Sequence, residues 1–189
     1  MFRDSLLWNY MGTIMRGVLK LASVKRSTPS MAAALPNLPM PQAVMVRLVR
    51  ILASTMTAYY EPVFRRIGLT ENIFHVLCLL LAADKGEASP GELTELVGTS
   101  KANMSRILEQ LARDGLVSRT PESMDARRHV IKITAKGRKI ATEAVPKMLE
   151  PLSKAFTGLT AEEFITLNTL IQKAILSLDT GGITLQQDE

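Results

Sequence analysis

Cysteine and histidine are scarce in this chain, and each shortage removes a class of answer, while the low aromatic fraction beside many Leu, Ala and Met suggests helices. A single cysteine, Cys78, excludes an internal disulfide framework and fits a reducing cytoplasm. Two histidines, His75 and His129, are too few for a conventional His-rich metal site, so neither a metal nor another cofactor is expected. The uncharged stretch 5–15 falls well short of the ~20 residues that a bilayer-spanning helix needs. It follows no strongly basic start and leads to no small-residue cleavage site, so a signal peptide is not expected either. No Gly-rich phosphate loop occurs, and the Ser, His and acidic residues form no recognisable nucleophile set. An enzyme is not the expectation.

What the chain does have is a local block of positive charge. Residues 99–139 hold ten Lys or Arg against four Asp or Glu, whereas residues 140–189 hold three against seven. Residues 1–40 are basic too, five against one, and residues 41–98 are nearly balanced, five against six. A basic block inside an otherwise neutral or acidic helical chain is the footprint expected for phosphate contact, although a merely solvated basic surface has the same composition.

The order of elements gives that block a shape. Residues 27–41 contain four prolines, so residues 1–40 read as a flexible leader. Met31 opens the Ala/Pro part, and the first thirty residues read either as a genuine extension or as the product of an upstream start codon. From Gln42 a helical stripe runs through Val44, Leu48, Ile51, Leu52 and Thr55, with a bend or break expected at Pro62. Thr70 opens a second helix, apolar nearly all round and therefore central to the domain. Ser89-Pro90-Gly91-Glu92 has capping-box order and starts a short helix that stops at Gly98. Thr99 or Ser100 caps the next, which ends at Gly115. Its positions 104, 107, 108 and 111 are apolar and face inward, while Ala102, Arg106, Glu109 and Arg113 fall opposite. Two short helices joined by a Gly-containing turn form a helix-turn-helix.

Residues 116–120 and 129–134 alternate as strands around a polar loop, 121–128, which makes a hairpin wing. A helix over 135–156 is expected to be irregular at Pro146 and Pro151. Thr160-Ala161-Glu162-Glu163 repeats the capping-box order and starts the last helix. There Phe164, Leu167, Ile171, Ala174 and Leu178 recur at 3, 4, 3 and 4, a seam suited either to a partner helix or to packing within the chain. The fold class is thus mainly α with a small β-hairpin wing. The divisions are a leader (1–40), an N-terminal dimerisation helix (41–69), a winged helix-turn-helix domain (70–136), C-terminal dimerisation helices (137–178) and a frayed tail (179–189).

Several of these residues resemble the MarR (multiple antibiotic resistance regulator) family over roughly residues 42–178. They are Ser105-Arg106, the exit Leu111…Gly115-Leu116-Val117…Arg119, the wing Asp125-Ala126-Arg127, and Ile131-Lys132-Ile133-Thr134 followed by Lys136-Gly137. The resemblance implies a homodimeric regulator of transcription, each subunit offering a winged helix to pseudo-palindromic double-stranded DNA. It assigns a major-groove role to Arg106 and a minor-groove role to Arg127, with Asp125 orienting Arg127. It also implies repression relieved by a small aromatic carboxylate, for which Arg47, Arg50, Tyr59 and His75 are candidate lining residues. A core position is the plainer expectation for His75.

The residues support these roles on their own terms. Ser100 and Lys101 stand at a helix N-terminus, where free N–H groups and positive potential favour phosphate. Arg106 can fork onto guanine or bind phosphate. Asn103, Ser105 and Arg113 share the polar side of the helix, and Arg127 and Arg128 sit near the hairpin tip, where a thin wing suits a narrow minor groove. Two other readings remain open at this point: a winged helix used for protein interaction, and a regulator that senses oxidants through Cys78.

Overall fold

The structure, a computed structural model, describes the backbone of residues 3–122 and 125–180 and the side chains of residues 17–120 and 129–178. The tail read as frayed, 179–189, lies almost wholly outside the described residues. The elements run α1 (Arg3–Ala34), α2 (Met40–Ile67), α3 (Glu71–Ala82), a 3-10 turn (Asp84–Gly86), β1 (Glu87–Ala88), α4 (Pro90–Val97), α5 (Lys101–Arg113), β2 (Val117–Glu122), β3 (Asp125–Ile133), α6 (Ala135–Lys154) and α7 (Ala161–Thr180). The chain divides into two units, 1–145 and 146–189. None of the described helices is long and apolar enough to cross a membrane.

The core of the first unit forms where apolar stripes converge. Helix α3 lies at its centre because its sequence is apolar on nearly every side, and Val76, Leu77 and Leu80 are fully buried. Leu93 of α4, Met104, Leu108 and Leu111 of α5, Ile131 of β3 and Ala141 of α6 close around it. Helices α3 and α4 both start on side-chain caps. The Thr70 hydroxyl accepts from the Ile73 N–H, and Ser89 and Glu92 form a reciprocal capping box. Such a cap contributes about 1 kcal/mol by satisfying N–H groups that the helix cannot. In the second unit Thr160 and Glu163 repeat the box at the start of α7, and the rings of Phe156 and Phe164 meet edge-on.

The three strands make one antiparallel sheet in the order β1-β3-β2. The expected loop at 121–128 is shorter than the sequence implied, because pairing continues to Glu122↔Asp125 with an irregularity after Pro121. Pro121 is tolerated because β2 is an edge strand, where a missing N–H need not cost a ladder bond. Strand β1 carried no sequence signal, being only two residues long.

Other expectations are corrected. Residues 3–34 are helical rather than a flexible leader, and α1 packs against α2. Val24 is buried, Lys20 Nζ donates to Ser54 Oγ (2.9 Å), and Arg47 Nη2 donates to Ser27 Oγ (2.8 Å). Pro29 lies inside the helix, and the break in the chain is confined to the turn before Pro39, the residue that precedes α2. Helix α2 also continues through Pro62. The cost of a proline in a helix, roughly 3 kcal/mol, is offset there by packing of the buried residues Tyr60, Val63 and Phe64. Helix α6 likewise runs through Pro146 and Pro151.

One glycine fixes how the wing meets α6. A Cβ on Gly137 would stand 2.1 Å from the Leu116 carbonyl oxygen, a backbone atom that cannot swing aside. Gly137→Ala is therefore expected to lower stability by about 2–3 kcal/mol, seen as a fall in thermal midpoint. An unchanged midpoint would mean that the α6 start is not packed this closely.

Candidate nucleic-acid interface

The geometry of the interface starts from the turn between α4 and α5. Gly98 ends α4 at φ 67°, a left-handed conformation that glycine adopts without strain, so the chain reverses within a few residues. Of the two candidate caps it is Ser100 that starts α5, accepting from the Asn103 N–H at 3.2 Å. The Thr99 hydroxyl takes a different part, accepting from Asn103 Nδ2 at 2.8 Å. Burial then orients the helix. Met104, Ile107, Leu108 and Leu111 are all buried, which turns Lys101, Ser105, Arg106 and Arg113 outward into solvent.

The outward cations differ sharply in what they touch. Lys101, Arg106 and Arg113 have no side-chain hydrogen bond or ion pair among the described residues, and neither has the exposed Arg119 on β2. In contrast, Lys132 pairs with Glu87, Lys139 with Glu143, and Lys136 donates to the Asp114 carbonyl oxygen. Two other candidates on α5 already have partners, since Asn103 donates to Thr99 and Ser105 to Glu109 (3.2 Å). In the sequence Arg119 stands out only as part of a motif, and its place in a strand directly after α5 is the signal that marks it as able to share the interface. The side chains of Asp125, Arg127 and Arg128 lie outside the described residues; their backbone forms the start of β3.

The candidate effector residues are less uniform. Arg47 is half-buried between α1 and α2, bonded to Ser27 and contacting Met31 Sδ at 3.4 Å. Arg50 is exposed. Tyr59 is half-buried and edge-on to Tyr60, with ring centroids 5.0 Å apart. His75 is exposed, not a core residue, because the buried positions 73, 74, 76, 77 and 80 of α3 leave it on the solvent side. On α7, Phe164 is 47% exposed and Leu178 82%, Ile171 and Ala174 are exposed, and Leu167 is half-buried. The seam read from the sequence is thus an apolar surface of this chain.

Cys78 sits half-buried on α3, and that burial pushes its thiol above the ordinary range. The protonated form is therefore favoured at neutral pH, the opposite of what a peroxide-sensing thiolate needs. In folding terms, the contribution is complete below the unfolded-state pKa and is lost as pH rises through the raised folded one.

A capped two-helix motif, an outward helix face of unpaired cations and a hairpin behind it define a winged helix-turn-helix DNA-binding protein. The chain belongs to the MarR family and is a DNA-binding regulator of transcription. The family's sequence model matches residues 69–129. The transcriptional repressor YetL of Bacillus subtilis is 31% identical over 112 residues, which cover 59% of this chain and 67% of YetL. Among solved structures, a cysteine-to-serine mutant of Escherichia coli MarR complexed with operator DNA superposes with a TM-score of 0.64 at 24% identity, covering 76% of this chain and 96% of that one. BpsR of Bordetella bronchiseptica, whose DNA binding is regulated by 6-hydroxynicotinic acid, superposes with a TM-score of 0.62 at 24% identity, covering 67% and 89%. Proteins of this family are transcription factors and not enzymes.

Two tests follow from the site. Lys101→Ala is expected to weaken binding to any duplex and to flatten the dependence of log affinity on log salt by about one unit. Arg106→Ala is expected to cost about 1–3 kcal/mol on a preferred duplex and less on a scrambled one. Equal losses on both duplexes for both variants would remove Arg106 from sequence reading. For Cys78, alkylation by iodoacetamide should be slower than that of an unstructured thiol at pH 7 and accelerate with pH, and peroxide should leave duplex affinity unchanged. Rapid neutral-pH alkylation with loss of DNA binding would restore the oxidant-sensing reading.

Proposed function

We propose that the protein is a cytoplasmic repressor that binds a pseudo-palindromic operator as a homodimer and is released by a small aromatic carboxylate. The observation that carries the DNA-binding part is the set of exposed, unpaired cations Lys101, Arg106 and Arg113 on the outward face of α5. Lys101, with Ser100 and the first-turn N–H groups, grips phosphate, and Arg106 reads a base edge in the major groove. Arg127, steadied by Asp125, enters the minor groove, and Arg128 adds to its charge.

Dimerisation has separate support. Phe164, Ile171, Ala174 and Leu178 present an apolar stripe to solvent in the isolated chain, and a stripe at this spacing is satisfied by a partner helix. Two winged domains on one symmetric scaffold read two half-sites about one helical turn apart, or a multiple of it, so that operator symmetry mirrors protein symmetry.

The effector reading rests on Arg50 and His75, both exposed, and on Tyr59. A cation and an aromatic ring suit a ligand with a carboxylate on a flat ring. The regulator BpsR, similar in fold, responds to one such compound, 6-hydroxynicotinic acid. A ligand releases DNA only to the extent that it prefers the DNA-incompetent dimer.

Sedimentation of the Leu167→Glu/Ile171→Glu double variant tests the dimer: the expected result is monomer or aggregate that no longer retains duplex, and a soluble dimer would contradict the seam. For the effector, a panel of aromatic acids should include one that lowers duplex affinity in the wild type and does so less in His75→Ala. Identical responses in both proteins would remove His75 from the site.

A further inference from the structure

One exposed cation of the basic block, Lys136, is bonded to backbone rather than to a carboxylate. Lys136 lies in the first turn of α6, and its Nζ donates to the carbonyl oxygen of Asp114, 2.7 Å away, at the residue that ends α5. It does not act alone. The Thr134 hydroxyl lies 2.8 Å from the Gly115 carbonyl oxygen and 3.1 Å from that of Leu116, and it donates its one proton to either. The Thr134 N–H donates to the Leu116 carbonyl at 3.0 Å, and the same hydroxyl accepts from the Gly137 N–H at 3.0 Å. Three successive carbonyls leaving α5 are thus held by the residues that begin α6.

The Asp114 carbonyl, at the C-cap, lies at the negative end of the α5 dipole, where an ammonium is favoured. Asp114 and Gly115 are exposed, so water could satisfy their oxygens equally well. Lys136 and Thr134 therefore add little to fold stability that water would not supply. What they supply, and water does not, is a fixed position for the end of α5. The absence of a side chain at Gly137 permits it, because the first turn of α6 rests directly on the Leu116 carbonyl.

We infer that Lys136 and Thr134 are positioning residues for sequence reading: they fasten the exit of α5 to the start of α6 and thereby set the angle at which Arg106 meets a base pair. On this inference Lys136 acts through the position of α5 and not as a phosphate ligand, the assignment that its place in the basic block invites. This rests on α5 being the DNA-reading helix.

The test uses the full-length protein and two probes: a duplex that the wild type selects from a random pool, and a scrambled duplex of the same composition. Lys136→Met keeps the aliphatic stem and removes the donor. The expected result is a ~3- to 10-fold loss on the selected duplex, little loss on the scrambled one, and an unchanged salt slope, as for one lost hydrogen bond acting on geometry. Lys136→Arg, which can still donate to Asp114, should recover most of the discrimination. Thr134→Val should lose it and Thr134→Ser should keep it. Hydrogen exchange at the Thr134 and Gly137 amides should quicken in Thr134→Val. An equal loss on both duplexes with a slope reduced by about one unit makes Lys136 a phosphate ligand and overturns the inference. So does unchanged binding by Lys136→Met on both probes. If the wild type selects no duplex at all, the reading of α5 fails first; if it does and Lys136→Met discriminates as well as the wild type, only this inference fails.

Discussion

Burial of one stripe of α5 is the constraint on which the rest of the structure depends. Met104, Ile107, Leu108 and Leu111 have to face α3 and the sheet, because each would otherwise leave a large apolar side chain in water. Once they are in, the rotation of α5 about its own axis is no longer free. Lys101, Arg106 and Arg113 must then point away from the core, and the caps at Ser89 and Ser100 determine where the two helices begin. An alanine at Leu111, which has no exposed surface, would cost about 2–5 kcal/mol and loosen the orientation of all three cations together.

A second consequence concerns how positive charge is divided. The basic block looks uniform in composition, yet its members have different work. Lys132 fastens β3 to β1 through Glu87, Lys139 meets Glu143 on the surface of α6, and Lys136 closes the exit of α5. The two exposed ion pairs contribute at most about 1 kcal/mol each, so their value, like that of the Lys136 hydrogen bond, lies in where they hold the backbone. The cations of the block left without a protein partner among the described residues include those on the outward side of α5 and Arg119 on β2. A polyanion gains most from these, since no internal bond has to break before they can bind phosphate.

The wing and the helix-turn-helix were legible in the sequence because their signals are local. Capping residues, a glycine at each helix end and the 3.6 and 2.0 periodicities all act within a few residues, and they placed α4, α5 and β2 closely, while β3 begins at Asp125, inside the expected loop. The signals that misled were also local, but they lost to packing. Pro62 did not break α2, because buried Tyr60, Val63 and Phe64 on the same helix hold it. The Pro-rich stretch hid α1, whose Val24 is buried and whose Lys20 and Ser27 bond residues of α2 that are distant in sequence. The same contact takes Arg47 away from the free surface. His75 lies among apolar neighbours in sequence and is nonetheless exposed, since five buried positions already use the inner side of α3. For the candidate site, the outward placement of the α5 cations was legible from pattern alone. The separate role of Lys136 was not, because only geometry distinguishes an ammonium aimed at a carbonyl from one free in solvent.

The most direct measurement of the central claim, that the outward side of α5 reads duplex DNA, is the affinity of the wild-type protein for a duplex selected from a random pool and for its scrambled counterpart across a range of salt concentrations. The account predicts that both affinities fall steeply and linearly on logarithmic axes, by about 0.9 unit of slope per phosphate neutralised, while the preference for the selected duplex persists at every salt. Binding that is insensitive to salt, or a selected duplex bound no better than its scramble, would contradict it.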